Sequence, residues 1–119
     1  MGRRTFENIG HFLNSKKNIV ITRNEKYHSN KAKTFSNLKS ALNHLKNEKK
    51  IFVVGGVELF KESLPITSEI YRTTIRARFK SEEYYPEIDT SEFELKSAEC
   101  INRNEENRFD YCVEKWVRS

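Results

Sequence analysis

The sequence is 119 residues long, 36% hydrophobic and 33% charged, with a formal net charge of +5. That length suits one compact domain spanning 1–119, large enough to bury a real core. No apolar run approaches bilayer length, the histidines (His11, His28, His44) are scattered and no C-x-x-C occurs, which excludes a membrane partner and a zinc site. The surplus of lysine, with Lys46, Lys49 and Lys50 as its densest run, reads as ordinary solvated surface rather than a nucleic-acid footprint.

Residues 3–9 predict a short helix ended by Gly10, with Phe6 and Ile9 on one side and Arg3 and Arg4 in its first turn. The β-branched run from Asn18 to Thr22 predicts a buried strand, and the polar stretch from Asn24 to Lys33 a loop. Ser36 is placed to cap a helix on which Leu38, Ala41, Leu42 and Leu45 recur at i, i+3, i+4 and i+7.

The run Ile51-Phe52-Val53-Val54 is apolar throughout, as expected of a central strand covered on both faces. It leads into Gly55-Gly56 and a helix from Val57 to Leu64 stopped by Pro65. This alternation predicts an α/β fold with a mixed, mostly parallel central sheet flanked by helices. From Ile70 to Phe79 residues alternate, with Tyr71, Thr73, Ile75, Ala77 and Phe79 on one face and Arg72, Thr74, Arg76 and Arg78 on a basic, solvated one. Strands at 93–101 and 108–117, joined by a polar turn at 102–107, predict a C-terminal antiparallel hairpin. Cys100 and Cys112 lie in that hairpin. Two thiols without a secretion signal point to a reducing, cytoplasmic compartment and no disulfide framework, while a single bridge between them stays open.

Two places suit an anionic ligand. Gly55-Gly56 follows a strand and opens a helix, where missing Cβ atoms allow close approach and free N–H groups face a phosphate; the pair is equally compatible with a plain tight turn. Gly2-Arg3-Arg4-Thr5 sets two guanidinium groups and a hydroxyl at another helix start, and Thr22-Arg23 adds a cation beyond a strand. The set suits an extended polyphosphate such as a dinucleotide, although the G-x-G-x-x-G fingerprint is absent.

Segments Met1–Gly10, Lys16–Arg23 and Ile51–Phe60 resemble those of the dihydrofolate reductase family, in order and at matching spacing; Ile70–Ile75, Tyr85-Pro86 and Tyr111–Glu114 continue the match across the whole chain. The resemblance implies an oxidoreductase that passes a hydride from NADPH to dihydrofolate to give tetrahydrofolate, and that also takes antifolate-like small molecules. It implies that Gly2, Arg3, Arg4 and Thr5 grip the cofactor phosphates, with Thr22 and Arg23 near the adenosine ribose and its 2′-phosphate. Gly55-Gly56 would form a cis peptide against the cofactor, and Val57, Glu58 and Leu59 would offer N–H groups to the pyrophosphate. Phe6, Ile9, Leu13, Val54 and Phe60 would border the folate pocket, for Phe6, Ile9 and Leu13 against an almost equal case for plain core packing. Thr73 would join the hydrogen-bond network that holds the catalytic carboxylate.

Three departures from the family pattern stand out. Lys16 replaces the arginine that binds the folate glutamate, keeping charge but losing the bidentate fork. Ser81 stands where the family has a loop glycine. The family's first strand, active-site loop and proton-supporting carboxylate fall upstream of Met1, so no catalytic residue is assigned here. A non-catalytic NADPH-binding remnant is therefore the alternative reading. The pyrimidine reductases of riboflavin synthesis resemble these segments less well, and a nucleic-acid-binding sheet would need aromatics interleaved with Arg72, Arg76 and Arg78.

Overall fold

Val20 is fully buried at the middle of β1 (Ile19–Ile21), and the N-terminal part of the chain is assembled around it. The computed structural model describes residues 1–9, 17–75, 87–106 and 108–119, with the backbone alone for Ile9 and Ile75. These fall into two compact units, Met1–Pro65 and Ile66–Ser119.

In the first unit β1 pairs in parallel with β2 (Lys33–Phe35), Val20 lying opposite Thr34. Lys33 N–H donates to the Asn18 carbonyl at 2.9 Å and Thr22 N–H to the Phe35 carbonyl at 2.9 Å, which closes both ends of the short ladder. β2 lies inside the stretch expected to be loop. Three residues with one strongly apolar side chain carry little local strand signal, and the pairing with β1 supplies the order.

α1 (Arg3–Ile9) packs on β1, and α2 (Leu38–His44) packs on β1, β2 and α3 (Val57–Ser63). α2 buries Leu38, Ala41 and the following Leu45, the apolar stripe its periodicity predicts. Its cap is Asn37 rather than Ser36: the Asn37 Oδ1 accepts the Ser40 N–H at 2.8 Å, while Asn37 itself holds an extended backbone. α3 buries Leu59 and Ser63 and passes into a single 3-10 turn, Leu64–Ile66, around Pro65.

The expected central strand at Ile51–Val54 is not among the strands of the described residues. Ile51, Phe52 and Val54 are 42%, 61% and 40% exposed, so the segment is not covered on both faces. An apolar run shows that burial would be favourable, whereas a strand requires a hydrogen-bonded neighbour.

The second unit is an antiparallel sheet of order β3-β5-β4, built from β3 (Glu69–Ile75), β4 (Phe93–Ile101) and β5 (Tyr111–Arg118). The expected C-terminal hairpin is therefore present, its second strand at the centre of the sheet. The only parallel ladder among the described residues is β1–β2, so the mostly parallel sheet reduces here to one pair beside an antiparallel triplet.

Phe93 is fully buried at the start of β4, with the Arg118 guanidinium 4.5 Å above its ring. Arg118 Nε also donates to the Thr67 carbonyl at 2.8 Å, and Ser119 N–H to the Glu92 carbonyl at 2.8 Å. Just before β4, Asp89 accepts the Ser91 hydroxyl at 2.6 Å and the Ser91 N–H at 2.8 Å, and these bonds hold its carboxyl below the usual range. Arg103 N–H donates to the Asp110 carboxylate at 2.6 Å across the β4–β5 connection.

Two further expectations change. Arg72 is not simply solvated: it lies opposite Glu114, binds its carboxylate at 2.7 Å through both Nε and a terminal nitrogen, and sits over the Trp116 ring at 5.7 Å. Cys100 and Cys112 are joined in a disulfide, with Cα atoms 4.0 Å apart. The hairpin register makes them direct cross-strand partners, a geometry that permits bridging whatever the cysteine count suggests.

Candidate functional site

The site is assembled where two helices begin. Met1 N–H donates to the Ile19 carbonyl at 3.0 Å and Ile21 N–H to the Met1 carbonyl at 2.8 Å, so Met1-Gly2 runs parallel to β1 with Gly2 opposite Ile21. Gly2 then donates its own N–H to the Gly55 carbonyl at 2.8 Å. This bond brings the start of α1 against the start of α3.

Both helices start from a glycine carbonyl. Phe6 N–H donates to Gly2 at 3.1 Å and Phe60 N–H to Gly56 at 3.0 Å. The N–H groups of Arg3, Arg4 and Thr5, and those of Val57, Glu58 and Leu59, precede these first intrahelical bonds. Gly56 caps α3 without a side-chain bond. Two positive helix ends thus converge, with the Arg3 and Arg4 side chains beside one of them, a setting favourable to negative charge.

The glycine pair is a cis peptide, as expected, and Gly55 has φ +123°. A Cβ on Gly55 would lie 3.4 Å from the Thr5 Oγ1 and 3.4 Å from the Phe60 ring, so Thr5 and Phe60 bracket this residue. Gly55 is glycine for the sake of its own backbone. Gly2 and Gly56 differ: a Cβ on Gly56 would meet Thr5 Oγ1 at 3.7 Å, and one on Gly2 would meet Gly55 O and Gly56 N at 3.8 Å, both ordinary contact distances. Among the described residues, therefore, a methyl group at either position meets no contact tighter than an ordinary one.

The cations line the same end of β1. Gly2 pairs in parallel with Ile21, so Arg3-Arg4 and Thr22-Arg23 each follow directly on one partner of that rung. Arg3 lies over the Tyr27 ring at 5.9 Å, while Arg4 and Arg23 are exposed. The Thr22 hydroxyl accepts the Asn24 N–H at 3.1 Å and fixes the turn beyond the strand. The sequence gives no sign of this contact, because a tyrosine in a polar loop carries no signal that a guanidinium will stack on it.

Of the expected pocket residues, Phe6 and Phe60 are half-buried in the first unit, and Val54 is exposed just before the cradle. Ile9 ends α1, and its side chain, Leu13 and Lys16 lie outside the described residues, as does Ser81. Thr73 belongs to the second unit, exposed on β3 opposite Val113. A separate shallow groove of about 460 Å³ lies at the opposite ends of β1 and β2, lined by Lys17, Asn18, Lys31, Lys33 and His44 among others. Lys17 there is ion-paired with Glu48. Among the described residues no group of His, Cys, Asp or Glu could hold a metal ion, and no helix is long and apolar enough to cross a membrane.

A cradle of two glycine-opened helices at the carboxyl end of a parallel strand, rimmed by arginines, defines an α/β protein suited to a polyphosphate ligand. Comparison with known proteins narrows this further. The sequence model of the dihydrofolate reductase family matches residues 1–118, and the chain belongs to that family. It is 35% identical to a dihydrofolate reductase of Bacillus subtilis (strain 168) over 93% of this chain and 66% of the relative. It is 34% identical to that of Haemophilus influenzae (strain ATCC 51907 / DSM 11121 / KW20 / Rd) over 92% and 68%. Among solved structures it is similar to dihydrofolate reductase from Enterococcus faecalis complexed with NADP(H) and RAB-propyl, with a TM-score of 0.86 and 29% identity over 99% of this chain and 71% of the other. The chain thus spans about two thirds of the length of the curated relatives it matches.

Proposed function

We propose that this chain serves an NADPH-dependent dihydrofolate reductase, with NADPH held at the Gly2–Gly55 cradle and dihydrofolate, or an antifolate in its place, as the second ligand. The observation that carries the reading is the contrast among the glycines. Gly55 is required by its own φ, whereas at Gly2 and Gly56 the described residues leave room for a methyl group, which supports a ligand approaching these two positions. The residues fit a dinucleotide phosphate: N–H groups of Val57, Glu58 and Leu59 at one helix start, Arg3, Arg4 and Thr5 at the other, and Thr22 and Arg23 at the strand end.

The bound nicotinamide supplies the hydride. The chain's own residues bind and orient. Exposed Arg4 and Arg23 sit where a 2′-phosphate would add charge, and Phe6, Val54 and Phe60, with Ile9, Leu13, Lys16 and Thr73, are assigned to the folate side. The family match from 1 to 118 supports reading the two units as one domain. No residue of this chain is assigned the proton-supporting role, so cofactor binding and turnover are separate questions.

The test is calorimetric titration of the folded chain with NADPH, followed by measurement of dihydrofolate-dependent NADPH oxidation with and without the remaining third of a family member's sequence. Saturable NADPH binding, competed by NADP⁺, is the expected result. A chain that is folded by circular dichroism yet takes up no NADPH would overturn the reading.

A further inference from the structure

We propose that Cys100 and Cys112 form a reversible thiol–disulfide exchange site on the C-terminal sheet, with a low-molecular-weight thiol as its partner and Cys100 as the sulfur attacked. The two residues are direct cross-strand partners on the edge strand β4 and the central strand β5. Neither strand depends on the bond for its place. β5 is paired along its length with β3, from Glu69–Val117 to Ile75–Tyr111, and with β4, from Phe93–Arg118 to Ile101–Tyr111. The connection beyond the cysteines is closed separately by Arg103 N–H on the Asp110 carboxylate. A reduced pair is therefore held in register by the ladders, each thiol within reach of the other.

Access is unequal. Cys100 is exposed on the edge strand, whereas Cys112 is half-buried between two neighbours, with Thr74 on its other side. Exchange needs a thiolate to reach one sulfur while the other leaves, so exposure selects Cys100 as the point of attack. The incoming thiolate bonds to Cys100 Sγ, the Cys100–Cys112 bond breaks, and Cys112 leaves as a thiolate that takes a proton from water. A second thiol then attacks the mixed disulfide, freeing the Cys100 thiol and releasing the partner as its own disulfide. Two electrons pass from two partner thiols to the cystine, and the reverse sequence reoxidises it.

The site has a defined neighbour. Cys112 lies in the row Thr74–Cys112–Cys100, and the next rung is Thr73–Val113–Glu99. Successive residues face opposite sides of a sheet, so a group attached at Cys100 stands on the face away from Thr73 and reaches it only through the β5 backbone.

The experiment uses the whole chain in glutathione buffers of graded ratio, with alkylation and intact-mass measurement to count thiols and far-ultraviolet circular dichroism to follow the sheet. Expected is a single two-thiol transition with the sheet signal retained. In single variants, oxidised glutathione should form a mixed disulfide at Cys100 of Cys112→Ser about tenfold faster than at Cys112 of Cys100→Ser. A bond that opens only after the chain is unfolded by denaturant, thiols that never pair in the folded chain, or faster reaction at Cys112 would each overturn the proposal. The wild-type titration needs no variant to fold.

Discussion

Gly2 donates its backbone N–H to the Gly55 carbonyl at 2.8 Å, and through that bond two helix starts become one cradle. Neither glycine is near the other in sequence, and each stands within two residues of the start of a seven-residue helix. The arrangement separates a glycine needed for its own backbone, Gly55, from Gly2 and Gly56, whose described neighbours stand at ordinary contact distance.

From that separation comes the first prediction. Gly55→Ala places a Cβ at φ +123° against Phe60 and Thr5, and should destabilise the fold by about 1–3 kcal/mol in denaturant titration. Gly56→Ala, at φ −83° with ordinary contact distances, should change stability by less than about 1 kcal/mol yet weaken NADPH binding at least about tenfold. If Gly56→Ala bound NADPH as tightly as the parent, the pair would be a turn and nothing more.

Cofactor choice is the second. Arg4 and Arg23 each stand two residues beyond a partner of the Gly2–Ile21 rung, and both are exposed. Charge-assisted bonds contribute about 1.5–3 kcal/mol each when well formed, and solvent screening puts these at the low end. Removing both side chains should therefore lower NADPH affinity about a hundredfold and NADH affinity by much less, because NADH lacks the 2′-phosphate. Equal affinity of the parent chain for NADPH and NADH, read in the same calorimeter, would refute the assignment.

Much of this was legible in the sequence where the signal is local. The periodicity of Leu38, Ala41 and Leu45 located α2, and Pro65 marked the end of α3. What depended on distant partners was not legible. β2 exists because β1 lies beside it, and Arg72 has a carboxylate partner only because the β3–β5 register sets Glu114 opposite. The cystine also depends on register: the predicted turn at 102–107 would set Cys100 opposite Phe109, whereas the observed pairing of Ile101 with Tyr111 centres the hairpin on Glu106 and brings Cys100 opposite Cys112. For the cradle, sequence supplied the glycines and arginines but not the bond that joins Gly2 to Gly55.

A third prediction concerns that unexpected ion pair. Arg72 and Glu114 are register partners at 2.7 Å, with side chains 38% and 19% exposed, and Arg72 also covers Trp116. Partial exposure screens the pair, so a double-mutant cycle with Arg72→Ala and Glu114→Ala should give a coupling of about 0.5–1 kcal/mol. Arg72→Ala alone should be worse than Glu114→Ala, because it also uncovers the indole. A coupling indistinguishable from zero would mean that the arginine acts only by packing.

The last prediction concerns the segment leading into the cradle. Ile51, Phe52 and Val54 are large apolar residues that remain exposed among the described residues, within four positions of one another and next to Gly55. An exposed apolar stretch favours association with another polypeptide, and a lysine is the substitution that most directly opposes it. Phe52 is the most exposed of the three at 61%, so Phe52→Lys removes apolar surface without opening a cavity. Sedimentation velocity over a concentration series should show the parent chain associating and Phe52→Lys shifted toward monomer. The substitution leaves the Gly2–Gly55 bond, Thr5 and the arginines untouched, so NADPH affinity measured on the monomeric fraction should stay within about threefold of the parent. Were the parent monomeric throughout, the exposed run would be tolerated as it stands. If Phe52→Lys abolished cofactor binding while leaving the chain folded, the segment would belong to the binding cradle itself, and the boundary drawn at Gly55 would have to move toward Ile51.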